Sequence, residues 1–519
     1  MRKITTIELI EKIQEIRACI IHNMERFQTE TFPVHQNHTY AAKNLVDYLS
    51  LRTFDIRIKQ GNLSFLGLSS FSNSERYVLT NIDNILYHLK TIQGQRVEGL
   101  SSPEKSTWNF FTTLELLYQN TNRLFGESNN QISARIMVTL PSEAAGDVKY
   151  IADMLSNGMD IARINCSHDN PVVWKSMIDA IRIAEKQSGK HCKIYMDLSG
   201  PKIRSEKIRI LKKKNKKKGQ LILHIGDRIR LYSTEAELKK AIKKKIPKKT
   251  FAALVSMSVP NVVRNLEIGN NIWFDDGKIG GVIEDTSDEN ATVIITKASS
   301  KGTKLKEEKG INLPDTHLQL PSLTEEDISN LPFIAKHADI VGYSFVRTAN
   351  DVKQLMDALS KLNRMDIGIV LKIENKESFN NLPDLLITGM KWSNIGVMIA
   401  RGDLAVELGV ERISEVQEQI LWVCEAAHVP VIWATQILEN LAQTGLATRA
   451  EITDASMSVR AECVMLNKGP HIMETITTLL NILRRMEAHQ NKKQGTLRQL
   501  SFASEFFNKD VERFIYNKL

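Results

Sequence analysis

Apolar runs of four to eight residues, each closed by a polar tip, recur eight times between about Gln131 and Ala488. They are Arg135–Thr139, Ile161–Asn165, Lys193–Asp197, Asp339–Ser344, Ile367–Glu374, Ile395–Ala400, Pro430–Thr435 and Cys463–Leu466. Runs this short and this apolar fit strands buried on both faces, as in a parallel sheet. Most are followed by a segment with helical periodicity, such as Asn350–Leu362 and Ser414–Ala427. Strand–helix alternation implies right-handed parallel crossovers, so the pattern predicts an α/β architecture, one (β/α)8 TIM barrel.

The pattern changes between the third and fourth runs. Residues 206–311 hold short alternating stretches (Leu221–His224, Arg228–Tyr232, Asn271–Phe274, Thr292–Thr296) separated by Gly-Asp, Asp-Gly and Gly-Gly turns. That is the signature of a small β domain, here an inserted β-barrel lid. Ahead of the barrel, Ile7–Phe27, Tyr40–Leu51, Ser74–Lys90 and Pro103–Leu124 have helical spacing, the last with a start signal at Ser102 before Pro103. The chain therefore divides into an all-α N-terminal module (1–130), a first barrel part (131–205), the lid (206–311), a second barrel part (312–488) and a tail (489–519). The helical module contains no chemistry legible in its residues.

With 519 residues, 42% of them hydrophobic, the chain can bury a large core and about three units. Its formal charge of +9 owes much to thirteen lysines between Lys212 and Lys249. They form either a solvated loop or a lid rim that attracts phosphate. No aromatic-interleaved basic stripe accompanies them, so no nucleic-acid partner is expected. Neither a bilayer-spanning apolar run nor a signal-peptide core is legible, and five scattered cysteines without a C-x-x-C indicate neither a disulfide framework nor a zinc site. A cytoplasmic location without a membrane partner is expected, and a homo-oligomer stays open.

The strand tips carry the chemistry. Lys372 and Glu374 lie two apart and share one face of their strand, and Asp403 follows the next strand. Neighbouring carboxylates repel unless a positive charge lies between them, and a hard divalent ion with oxygen ligands, Mg²⁺ or Mn²⁺, suits that place. Lys372 and Arg163 converging on it would clamp a transferring phosphoryl group or a developing enolate. The competing reading is a buried Lys-Glu-Asp ion-pair network. Asn165, Ser167 and Asp197 offer oxygens to a monovalent cation, Gly402 lets backbone amides approach a small carboxylate, and His168 alone is more often a loop histidine than a base.

These tips lie in longer strings: A-R-I-M-V-T-L-P, G-M-D-I-A-R-I-N-C-S-H, M-D-L-S-G-P-K-I-R, F-D-D-G-K-I, K-G-I-N-L-P, V-G-Y-S-F-V-R, L-K-I-E-N, M-I-A-R-G-D-L-A-V-E, P-V-I-W-A-T-Q-I-L-E and T-R-A-E-I-T-D. Ten such strings, in this order from about Ala134 to Leu466, resemble the pyruvate kinase family. The resemblance implies phosphoryl transfer from phosphoenolpyruvate to ADP, with the enolate then protonated to pyruvate. By residue match, Lys372 would stabilise the transition state, with Arg163 and Thr435 as catalytic partners, and Glu374 and Asp403 would bind the divalent ion. Arg163, Lys372, Gly402, Asp403 and Thr435 would contact substrate. Asn165, His168, Arg204 and Lys309 would meet the nucleotide, and Asn165, Ser167 and Asp197 would line a potassium site.

Departures from the family pattern alter these expectations. Leu198 stands where a hydroxyl-bearing potassium ligand is usual, and Lys202 stands where potassium-dependent members have a Glu. The Lys202 ammonium is therefore expected to replace the monovalent ion and make potassium dispensable. The family's M-L-S-G-E-T is Met465, Leu466, Asn467, Lys468, Gly469, Pro470 here, and the loop Thr139, Leu140, Pro141 lacks the family's Gly, which puts enolate protonation in question. Two alternatives remain: another phosphoenolpyruvate or pyruvate-enolate enzyme of aldolase or mutase type, or a degenerate kinase fold acting as a binding scaffold. The helical module is additional to the family pattern, and no C-terminal regulatory domain is legible after the barrel. Turnover is accordingly expected to be unchanged by fructose 1,6-bisphosphate; measured activation by it would overturn this expectation.

Overall fold

The computed structural model describes residues 3–28, 33–68, 71, 74–100, 102–217, 220–243, 250–260, 262–316, 320–487 and 502–508. Eight parallel strands close into a barrel: β1 (Arg135–Thr139), β2 (Ile161–Asn165), β3 (Lys193–Asp197), β4 (Ile340–Tyr343), β5 (Gly368–Ile373), β6 (Ile395–Ala400), β7 (Val431–Ala434) and β8 (Cys463–Leu466). Each pairs with its sequence neighbours, and β8 returns to β1 with Cys463 opposite Arg135. The predicted runs overshoot the ladder at three strands. The overhanging residues Ser344, Glu374 and Thr435 stand beyond the last strand residue, where side chains are available for chemistry at the mouth.

The N-terminal module is built into this barrel. It comprises α1 (Thr6–Gln28), α2 (Thr39–Leu51), α3 (Arg57–Phe65), α4 (Val78–Ile92) and α5 (Phe110–Phe125). Leu124 and Phe125, at the end of α5, join Met137, Tyr195, Val370 and Met398 from inside the barrel in one buried cluster. Gly368 and Gly396, at the starts of β5 and β6, make room for this plug. A Cβ on either would come within 2.5 Å of a Leu124 methyl carbon. Asn44 of α2 and Asn120 of α5 donate to the carbonyls of Ala426 (2.8 Å) and His428 (2.7 Å), and Arg76 pairs with Glu425.

Two features of the module differ from the sequence expectation. The last helix does not start at Pro103: Pro103–Lys105 makes only one 3₁₀ turn, and α5 begins at Phe110, where Asn109 and Thr112 form a capping box. Helix α3 has no counterpart in the predicted elements, because Gln60, Gly61 and Asn62 interrupt its apolar period and glycine lowers helix propensity.

The insert after β3 forms its own apolar core. A seven-stranded sheet runs in the order Ile311–Asn312, Asn271–Phe274, Ile279–Thr286, Asn290–Lys297, Arg228–Tyr232, Ala253–Met257, Ser205–Ile210, beside a three-stranded sheet and the helix Glu235–Lys243. Residues 244–249 of the lysine run lie outside the described residues. The hinge is narrow: Arg204 bridges Gly310, and the Ser205 amide donates to the Lys309 carbonyl at 2.8 Å. Residues 502–508 are helical and bury Phe502 edge-on against Phe379. Among the described residues no helix is long and apolar enough to cross a membrane.

Where the module meets the barrel, burial holds the imidazoles of His428 and His38 down, to about 3 and about 4. Both stay neutral in the folded protein while the unfolded chain protonates near pH 6.5. Their contribution to stability is complete above about pH 6.5 and is lost as pH falls toward the folded values, at up to about 1.4 kcal/mol per pH unit for each proton. His428→Asn, which tolerates the left-handed backbone at this position (φ 50°), is expected to flatten the fall in thermal midpoint between pH 6.5 and 4.5. Equal slopes in both proteins would contradict this.

Candidate active site

The mouth of the barrel gathers charges that strand geometry alone brings together. Asp197 ends β3, Arg163 lies on β2 and Lys372 on β5, and all three side chains point inward. Asp197 is 1% exposed, and one of its oxygens accepts from Lys372 Nζ at 3.1 Å and from Arg163 Nε and Nη2 at 3.1 and 2.5 Å. Burial pushes its carboxyl up, but the neighbouring Lys372 and Arg163 charges outweigh that and hold it below the usual carboxylate range. Lys372 Nζ also donates to Ser344 Oγ at 2.7 Å and lies 3.1 Å from Glu374 Oε1. Burial pulls this ammonium down, but the Asp197 and Glu374 charges outweigh it and hold it above the usual lysine range.

Glu374 and Asp403 lie on neighbouring elements, near enough for the Asp403 charge to act on Glu374. Glu374 follows β5, and its second oxygen accepts from the Phe345 amide at 2.6 Å. Asp403 sits in the first turn of α6 (Arg401–Leu408), directly after β6. Burial raises the Glu374 carboxyl, with Lys372 opposing and the Asp403 charge adding to the rise. Two carboxylates within electrostatic reach of each other, now held by Lys372 and Lys202, suit a hard divalent cation with oxygen ligands. Among the described residues no group of three or more His, Cys, Asp or Glu could hold a metal. A Mg²⁺-type ion, which takes only one or two carboxylates and completes its shell with water and substrate oxygens, does not need one.

Lys202 reaches across from the loop after β3, its Nζ 2.9 and 3.0 Å from the two oxygens of Asp403. Asn312, on the lid's returning strand, donates to Asp403 at 3.4 Å and to Glu407 at 3.1 Å. Glu407 is pushed up to about 7 by burial. The lid hinge thus touches the same carboxylate as Lys202.

Thr435 overhangs β7 with φ 65°, a left-handed conformation unusual for a β-branched residue, and its hydroxyl accepts from the Gly402 amide at 3.0 Å. Arg401 enforces it, donating to the carbonyls of Ala434 (2.9 Å) and Thr435 (2.5 Å) while pairing with Asp454. This clamp was not foreseen from sequence, although the Arg401–Asp454 pair joins two of the strings quoted above.

The remaining predicted residues divide into two groups. Asn165 and His168 line a cavity of about 300 Å³ with Thr139, Arg163, Glu439 and Lys468. Arg163 donates to Thr139 at 3.0 Å, and His168 is held low by burial and by the Lys468 and Arg204 charges. Arg204 and Lys309 lie instead at the hinge, donating to the Glu308 carbonyl (3.2 Å) and to Asp275 of the lid (2.8 Å). Of the three residues matched to potassium, Asn165 accepts from the Ser167 amide at 3.1 Å, and Asp197 is engaged by two cations of the chain itself. A larger cavity, about 500 Å³, opens beyond Lys202 between the lid hinge and the loop after β5. Lys372 and Thr435 line neither cavity; Arg163, Asn165 and His168 line the smaller one and Lys202 the larger.

Residues 132–470 match the family model described as pyruvate kinase, barrel domain. Over 358 residues the chain is 31% identical to a pyruvate kinase of Staphylococcus saprophyticus, covering 68% of this chain and 56% of that protein. A pyruvate kinase of Bacillus licheniformis is 30% identical over 358 residues, covering 68% and 57%. The chain spans about half the length of the curated relatives it matches.

Proposed function

Because the chain belongs to the pyruvate kinase family, we propose that it moves the phosphoryl group of phosphoenolpyruvate to ADP with the help of Mg²⁺ or Mn²⁺. The observation that carries this reading is the buried Lys372 ammonium, 3.1 Å from both Asp197 and Glu374, at the open end of the barrel. An ammonium fixed in a water-poor site stabilises charge on a migrating phosphoryl group far more than a solvated one does, and needs no reorganisation as the reaction proceeds.

The chain's residues take these parts. The P–O bond to the enol oxygen breaks and a P–O bond to the terminal ADP oxygen forms, with Lys372 and Arg163 facing the equatorial oxygens. Glu374 and Asp403 would hold the divalent ion, which when bound neutralises phosphoryl and enolate oxygens. The amide-bearing turn at Gly402 and the Thr435 hydroxyl, held against each other, would orient the substrate carboxylate. The enolate then takes a proton from solvent at its methylene carbon. Asn165, His168, Arg204 and Lys309 would receive the nucleotide, the last two as the lid closes. Lys202, paired with Asp403, would supply fixed positive charge in place of the ion that potassium-dependent members recruit.

A lactate-dehydrogenase-coupled assay tests the activity: ADP-dependent pyruvate formation is expected, and none at any divalent-ion concentration would refute the reading. Lys372→Met should lower turnover by about 10² to 10³ with Mn²⁺ binding kept, whereas Glu374→Gln should raise the divalent-ion requirement. Normal rates in both would move the chemistry elsewhere. Rates with and without potassium should agree within about twofold; a strict potassium requirement would remove the role given to Lys202.

A further inference from the structure

The loop after β8 is held by the short helix α7 (Glu439–Thr444) at four points. Asn467 Nδ2 donates to Glu439 at 2.8 Å, Gln443 Nε2 donates to the Lys468 carbonyl at 2.8 Å, and the His471 amide donates to the Ala442 carbonyl at 3.0 Å. Gly469 packs so closely on Ala442 that any side chain there would run into its carbonyl. The backbone of Lys468 is therefore fixed at the rim of the 300 Å³ cavity, which this exposed residue helps to line.

Inside that cavity the other charges are already engaged. Arg163 is bound to Asp197 and Thr139, Glu439 accepts from Asn467, and Asp169 accepts from Ser142 at 2.9 Å. Lys468 has no ion-pair partner among the described residues. Its charge acts across the cavity on His168, adding to burial in lowering that imidazole. A cation left over beside Asn165 and His168 suits an anion, and a flexible ammonium with three donors suits a phosphate.

Resting on the reading above, we propose that Lys468 is a phosphate-binding residue of this pocket that grips the diphosphate of a nucleoside diphosphate opposite His168. The family string has a glycine at this position, so the family pattern itself does not supply this contact. It also changes the meaning of the altered loop: the residues that depart from the family pattern add a nucleotide anchor.

Isothermal titration of ADP, inorganic pyrophosphate and phosphoenolpyruvate into the full chain, Lys468→Ala and Lys468→Arg tests this. Loss of one charge-assisted phosphate contact should weaken ADP and pyrophosphate by about tenfold or more. Lys468→Arg should recover most of the loss, phosphoenolpyruvate should bind unchanged, and the salt dependence of ADP binding should fall in Lys468→Ala. ADP and pyrophosphate binding to Lys468→Ala within twofold of the parent would overturn the proposal while leaving phosphoryl transfer intact. Pyrophosphate binding that depends on Lys468 in a protein that makes no pyruvate would instead sink the enzymatic reading and keep the anion site. No binding of either anion to the parent chain would overturn both.

Discussion

Burying the Lys372 ammonium at 8% exposure is tolerable only because two carboxylates lie within 3.1 Å of it. An unpaired charge in that position would cost several kcal/mol, whereas one held by ion pairs and a serine hydroxyl keeps its proton. The wider mouth follows the same rule: Arg163, Lys202 and Lys372 face Asp197, Glu374 and Asp403, three cations against three anions. Counted formally, these charges cancel. A multiply charged phosphate ester entering among them gains from added positive charge, which is the physical ground for including a divalent ion in the proposed mechanism.

The fold holds this balance in place from three directions. Strand ends extend beyond the ladder and deliver Ser344, Glu374 and Thr435 to the mouth. At the opposite end, α5 fills the barrel floor with Leu124 and Phe125, so the helical module shares the barrel's core. The lid enters through Asn312, which binds Asp403 and Glu407 together. Lid position and carboxylate position are thereby linked by one side chain.

Much of this was legible in the sequence because parallel barrel strands are buried on both faces, and their apolar runs end abruptly where the chain turns polar. Lys372 and Glu374 could be placed together from their spacing alone. The contacts that escaped are those that only folding creates. Lys202 and Asp403 are 201 positions apart, and Arg401 meets Asp454 across 53. Nothing local marks Thr435 as left-handed; Arg401 imposes it from the neighbouring strand end. At α5 a local signal existed, but Asn109 with Thr112 outcompeted the proline start at Pro103, since a capping box satisfies helix amides that a single proline does not.

The central claim, that Glu374 and Asp403 share one divalent ion beside Lys372, is tested most directly by electron paramagnetic resonance of Mn²⁺ titrated into the protein with and without phosphoenolpyruvate. The account predicts one bound ion per chain, with tighter binding and an altered spectrum when phosphoenolpyruvate is present. No bound ion, or a bound ion whose affinity and spectrum ignore phosphoenolpyruvate, would contradict it.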